Sequence, residues 1–240
     1  MFDSPQVRRL IAATACLVLA LAVTACGEPA APAPADIMAK AAPAMRDVKS
    51  LHFLLDTNKL DQYPKGLFLL RAEGDVASPD KLRATAKALL MGSAIEVQVV
   101  GVGKEQFMTD PASNRWQAMP PTLNVLAAFD PNKGIADILA NAKDPQSDGT
   151  ETIDGVACYR LKTALTPDAL KALSTEVNAT APLNARLWVG SSDYRLRQVE
   201  LAGPLMSGEP QNIVRTIKFS HFNDPVEIQK PTVGSAPGAP

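Results

Sequence analysis

The chain is short of residues that do covalent chemistry. It has two histidines, His52 and His221, and three cysteines, Cys16, Cys26 and Cys158. A hydrolase needs a nucleophile with a base beside it, yet neither histidine lies in a Gly-x-Ser-x-Gly elbow or a comparable setting. His52 falls on the strand face opposite Phe53 and Leu55, which reads as an exposed side chain. His221 ends a strand between Phe219 and Phe222, a packed or rim position, and a polar cluster around it would be the mark of an enzyme. Gly101-Val102-Gly103-Lys104 hints at phosphate binding. It lacks P-loop spacing and no helix follows, so it reads as a hairpin turn. Glu151 and Asp154 flank a turn and read as solvated. Cys158 alternates with Tyr159 and Leu161 and reads as a small buried hydrophobe. No set of residues has metal-ligand spacing, and Asn178-Ala179-Thr180 matches a glycosylation sequon.

The cysteine with a chemical context is Cys26. Arg8 and Arg9 precede an apolar run, Leu10–Val23, of 14 residues. That is too short for a bilayer span of about 20 residues and suits a signal-peptide core. The run ends in Val23-Thr24-Ala25-Cys26, which resembles a bacterial lipobox, where the cysteine is acylated with chains such as palmitate. Each buried methylene contributes about 0.8 kcal/mol, so two or three chains anchor firmly. Residues 1–25 then form a lipoprotein signal peptide, and residues 26–35 the acylated Cys26 with an extended Pro/Ala linker. The domain runs over 36–233, and 234–240 reads as a disordered Gly/Pro/Ala tail. The expected location is the extracytoplasmic side of the cell membrane, lipid-anchored.

Composition narrows the function further. Of 240 residues, 46% are hydrophobic and 20% charged, and the net charge is −1. This describes a globular chain without the surplus cations of a nucleic-acid binder. At 5%, aromatics are too sparse for base-stacking platforms.

The elements that must position any site are mostly strands. Asp36–Lys49 has helical spacing with Asp36 as N-cap and Pro43 inside. Strands are expected around Phe53 and Leu55, over Leu67–Leu70, Ile95–Val99 and Lys104–Thr109, and Asp80–Ala88 fits strand or helix, with its neighbours favouring strand. A helical block follows Pro131, with Ile135, Ile138, Leu139 and Ala142 on one face. Glu151–Ile153 and Ala157–Leu165 form a hairpin across Asp154-Gly155, and Thr166-Pro167-Asp168 opens a helix. Ala185–Gly190, Arg195–Leu201 and Asn212–His221 close the domain. Nine or ten strands with three helices give an α+β fold: a single curved antiparallel sheet wrapped around a few helices.

Four segments carry a resemblance to a known family. They are Val48-Lys49-Ser50-Leu51-His52; Asp130-Pro131-Asn132-Lys133-Gly134 leading into Ile135–Asn141; Asn178-Ala179-Thr180 with Pro182; and Ala185-Arg186-Leu187-Trp188-Val189. Their order over Asp36 to Pro231 resembles the actinobacterial lipoproteins that include LppX, LprA, LprF and LprG. The resemblance implies a half-barrel with an apolar cavity, similar to the outer-membrane lipoprotein carriers. It also implies a non-enzymatic protein that binds acylated lipids or glycolipids and moves them within the envelope. The partners would be that lipid, the membrane through the lipidated N-terminus and an envelope transporter, with no cofactor. Cys158 is not a feature of that family pattern.

The physical need for such a carrier is plain: a 16-carbon chain exposed to water costs roughly 12 kcal/mol at about 0.8 kcal/mol per methylene. Candidate cavity-lining residues are Phe53, Leu55, Phe68, Leu70, Ile95, Val97, Val99 and Phe107 on strands. Phe129, Ile135, Ile138 and Leu139 join them from the helical block. Alternation fits a filled core equally well at each position, and Trp188 fits a rim or an outer face. The alternative function is an envelope interaction or sensor module with a filled core, working through a surface such as Asp110–Pro121.

Overall fold

A computed structural model describes residues 31–58, 60, 63, 66–119, 129–171, 181–206 and 208–238. The signal peptide, Cys26 and the sequon lie outside the described residues.

Eleven strands form one antiparallel sheet. They are β1 (Ser50–Thr57), β2 (Leu67–Ala77), β3 (Lys81–Leu90), β4 (Ser93–Val102), β5 (Glu105–Thr109), β6 (Trp116–Ala118), β7 (Lys143–Ile153), β8 (Val156–Leu165), β9 (Leu183–Gly190), β10 (Leu196–Ala202) and β11 (Val214–Ser220). Their order is β6-β5-β4-β3-β2-β1-β11-β10-β9-β8-β7. Chain neighbours are therefore sheet neighbours except for β6 and β7, which lie on opposite edges, while β1 pairs with β11 at the centre. Tight turns set the hairpins: Met91-Gly92 and Asp154-Gly155 have positive φ at both positions, the geometry that matches strand twist.

The helices are α1 (Pro34–Arg46), α2 (Ala136–Asn141) after a π-helical turn at Pro131–Ile135, and α3 (Pro167–Lys171). The N-cap of α1 is Ala33, not Asp36, and Pro34 takes the first turn, where its missing N–H costs nothing. Pro43 lies within α1 without ending it. The block from Asp130 is fastened to the end of α1. Asp130 accepts the Asn132 N–H at 2.9 Å, and the Asn132 amide donates to the Val48 carbonyl at 3.0 Å. The Asp130-Pro131-Asn132 signature thus acts as a staple between α1, β1 and α2.

One face of the sheet, with α1, α2 and α3, encloses the main core. It contains Ile37, Met45, Leu51, Phe53, Leu139, Leu161, Leu170 and Leu187. Two smaller clusters, Val100–Phe107–Trp116–Ile228 and Leu60–Phe68–Ile213, lie apart from it. The compact unit spans Ala33–Pro240, and all three clusters are drawn from within it.

Three further departures from sequence expectation lie in the edge strands and the tail. β6 arises within Asp110–Pro121, where no strand is expected. β7 begins at Lys143 rather than Glu151, because an edge strand tolerates Pro145 and Gly149. The C-terminal tail is tied down at its start. The Gly234 N–H donates to the Trp116 carbonyl at 2.8 Å, and the Trp116 N–H donates to the Ser235 carbonyl at 2.9 Å. These bonds cover the open edge of β6.

Candidate functional site: the concave face of the sheet

Alternation from β1 outward defines the concave face. Phe219, Phe53, Gly74, Ala84, Val99 and Met108 are successive cross-strand partners in one row. Side-chain size changes sharply along that row. β1 and β11 present Phe53 and Phe219, whereas β2 and β3 present Ala72, Gly74, Ala84, Ala86 and Ala88. Beyond them β4 presents Ile95, Val97 and Val99. The small residues make a shallow apolar trough in the sheet surface between larger side chains, and Ala72, Ala84, Val97 and Val99 are themselves buried in the main core. Phe129 stacks on Phe53 at 3.9 Å between ring centroids, bringing the helical block against the trough.

Nine of the candidate residues share this face and its core: Phe53, Leu55, Ile95, Val97, Val99, Phe129, Ile135, Ile138 and Leu139. The other three do not. The β2–β3 register shifts between Leu69 and Arg71, so a bulge at Leu70 reverses the phase. Leu69 then packs on the main core, while Phe68 and Leu70 pack with Leu60, Ile213 and Leu89 on the opposite face. Phe107 pairs with Val100, packs against Trp116 and Ile228, and lies under the Lys230 ammonium at 5.3 Å. Its neighbour Met108 packs on the main core instead. The C-terminal segment makes this part of the outer face apolar too, which removes the signal that alternation relies on.

Sequence reasoning also misses a charged group on the concave face. Arg215 alternates with Ile217 and Phe219 on β11, is 8% exposed, and pairs with Glu209. Its Nη1 is buried and has no hydrogen-bond acceptor among the described residues.

The outer face gathers both histidines. His52 is half-buried, not exposed as its alternation suggests, because its neighbours on this face pack around it. The two rings meet edge to face at 5.6 Å, beside an open concavity of about 460 Å³ lined also by Asp75, Arg83 and Asp224. The Asp75 carboxylate lies 2.8 Å from His52 Nδ1 and accepts from Arg83 Nη2 at 2.7 Å. Ser220 Oγ lies 3.0 Å from Nδ1 of the other histidine, His221. The carboxylate–histidine pair and the hydroxyl–histidine pair are thus on different rings, which is not the arrangement of a nucleophile relay.

Burial raises the Asp75 pKa, but hydrogen bonds from Arg83 and His52 outweigh it and hold the carboxyl below its ordinary 3.8. A depressed carboxylate contributes stability above its unfolded pKa and loses it as pH falls through the folded value. Asp75→Asn is therefore expected to unfold at lower denaturant than wild type near neutral pH. The two midpoints should converge in acid below the ordinary carboxylate pKa, as read by urea titration at stepped pH.

Cys158 is 1% exposed, and burial pushes its thiol pKa up. This is an inert, packed thiol. Trp188 lies on the outer face, buried, and its indole N–H donates to Glu151 at 2.9 Å. Glu151 also pairs with Arg160 at 3.0 Å and stays exposed, the solvated carboxylate expected with two partners added. The Trp188 hydrogen bond and then Arg160 hold its pKa low.

A bent antiparallel sheet with helices on its concave side is a half-barrel. The model of the LppX_LprAFG lipoprotein family matches residues 33–228, and the chain belongs to that family. It is 27% identical over 191 residues to the lipoarabinomannan carrier protein LprG of Mycobacterium tuberculosis, covering 78% of this chain and 77% of the relative. It is 28% identical over 205 residues to the protein of that name in Mycolicibacterium smegmatis, covering 82% of each. The crystal structure of LprF from Mycobacterium bovis superposes with a TM-score of 0.65 at 15% identity, covering 85% of this chain and 100% of that one. That of LppX from Mycobacterium tuberculosis gives 0.57 at 18% identity, covering 81% and 99%. These two likenesses show the fold.

Proposed function

We propose that this protein is a membrane-anchored lipoprotein that binds an acylated lipid or glycolipid against its concave face and transfers it within the cell envelope. The observation that carries the reading is the apolar trough over Ala72, Gly74, Ala84, Ala86 and Ala88, walled by Phe53, Ile95, Val97 and Val99. Small residues at the floor leave width for acyl chains, and aliphatic walls supply the contacts that replace water. The relatives named as lipoarabinomannan carriers support a lipid of this class. Acylation at Cys26, the linker behind it and an extracytoplasmic location belong to the same reading, as does an envelope transporter as a further partner.

Native mass spectrometry of the chain from Gly27, produced in a lipid-rich relative, tests it. A stoichiometric adduct released by chloroform extraction is the expected result. A mass that stays bare after incubation with envelope lipids would overturn the carrier and favour an interaction module. Ala86→Phe narrows the trough and is expected to remove most of the adduct while leaving a cooperative thermal transition.

A further inference from the structure

The two ends of the sheet differ in the large apolar side chains they expose, which folding alone does not require. The turns β2–β3, β4–β5, β7–β8 and β9–β10 lie at the end where α1 enters β1, and each carries charge: Asp80, Lys104, Asp154, and Asp193 with Arg195. At the opposite end the other connections carry charge too, among them Asp110, Arg115, Asp168 and Glu209, but the β3–β4 tip has no charged residue from Ala88 through Ile95. The large hydrophobic side chains that stand in water gather at that end. Leu67 is 56% exposed, Leu90 42%, Met91 84%, Met206 41% and Tyr63 39%, and among the described residues the other such side chain is Val233 on the C-terminal segment.

These residues come from three separate connections, β1–β2, β3–β4 and β10–β11, so they ring the end of the sheet rather than form one groove. Leu67 and Leu90 are cross-strand partners and continue the line of Leu69 and Ala88, so the apolar concave face runs out into solvent here. Met91 occupies a left-handed position, φ 52°, where Asn, Asp or Gly is the favoured choice. A methionine there satisfies neither the turn nor the core, and such a local conflict points to function.

We propose that this end is a rim that inserts into the surface of a lipid bilayer, setting the trough against the membrane from which lipid enters or leaves. The inference rests on the carrier reading above. A bilayer is the occupant because the proposed anchor at Cys26 is followed by only the short stretch Gly27–Ala33 before α1. At about 3.1 Å per extended residue, that stretch holds the domain within roughly 22 Å of the membrane. Unbranched Met and Leu with an amphipathic Tyr are also side chains suited to the headgroup–acyl boundary.

Co-sedimentation of the chain from Gly27 with phosphatidylcholine–phosphatidylglycerol vesicles tests the rim, with native mass spectrometry of each variant in parallel. Wild type is expected to partition onto vesicles in low and high salt. Met91→Ser with Met206→Ser should lower that partition about tenfold, the loss of two partly inserted side chains, while Val233→Ser leaves it unchanged. Equal partition of the double variant, no partition of wild type, or partition abolished by salt would each overturn the rim. So would a wild-type dimer in sedimentation velocity that the double variant dissolves, since a second copy would then be the occupant. A lipid adduct with failed vesicle binding sinks the rim and spares the carrier; vesicle binding without any adduct does the reverse.

Discussion

Gly74→Ala is expected to destabilise the protein by about 2–3 kcal/mol, the cost of forcing extra volume into a packed site. The usual sign is the opposite: a glycine in a strand interior is less stable than alanine by roughly 0.5–1 kcal/mol. Gly74 is in β2 between Phe53 on β1 and Ala84 on β3. A Cβ there would stand 2.1 Å from the Arg83 carbonyl oxygen and 2.7 Å from the Ala84 Cα. Both obstacles are backbone, so no side-chain rotation relieves them, and β3 would have to move away from β2 at the floor of the trough. In a domain of this size each 1 kcal/mol shifts Tm by about 2–4 °C, so a fall of roughly 4–12 °C should be seen in calorimetry. A Tm equal to or above that of wild type would show that β2 and β3 are not held this close, and the trough would lose its narrow floor.

Gly74 also marks how far the fold and the site are legible in the sequence. The curved antiparallel sheet and the helical block can be read because β1, β4 and β8 alternate cleanly and the turns at Gly103 and Asp154-Gly155 carry their own geometry, whereas the pairing of β1 with β11 joins distant segments and cannot. The face of each residue can be read only where one side of the strand meets water. Leu67–Leu70 is a continuous apolar run with no phase in it, and the bulge at Leu70 decides that Leu69 faces the core. Phe107 misleads because Ile228, far along the chain, covers the outer face beside it. β6 is three residues long and gains edge partners from Gly234 and Ser235, a pairing between distant segments that local pattern does not encode. The floor of the trough is hidden for a related reason. Alanine and glycine score as weak hydrophobes, so a strip of small residues built from two paired strands leaves no marked signal in either one.

Arg215→Met alone is expected to cost about 3–5 kcal/mol, whereas Arg215→Met combined with Glu209→Gln should recover most of that loss. Arg215 is on the concave face of β11, and its Nη2 donates to Glu209. The other oxygen of Glu209 accepts the Leu205 and Met206 N–H groups at 2.8 and 3.1 Å. Burial lowers the guanidinium pKa, and the neighbouring Glu209 works against that shift. Two opposite charges taken from water together nearly balance, but one left behind bears its desolvation cost without a partner. Arg215→Met strands the carboxylate, Glu209→Gln strands the guanidinium, and the double variant strands neither. The amide oxygen introduced by Glu209→Gln still faces the Leu205 and Met206 N–H groups, so the connection between β10 and β11 keeps its tether. Urea unfolding of the four proteins closes a double-mutant cycle, and a coupling of several kcal/mol is the expected reading. Additive losses would mean that the pair is not coupled and that each side chain is held by something else. The pair also fixes where Met206 stands, because the carboxylate that balances Arg215 is the one that accepts the Met206 N–H. A charge on the concave face and an exposed apolar side chain at its end are therefore parts of one structure, and loosening the first should release the second.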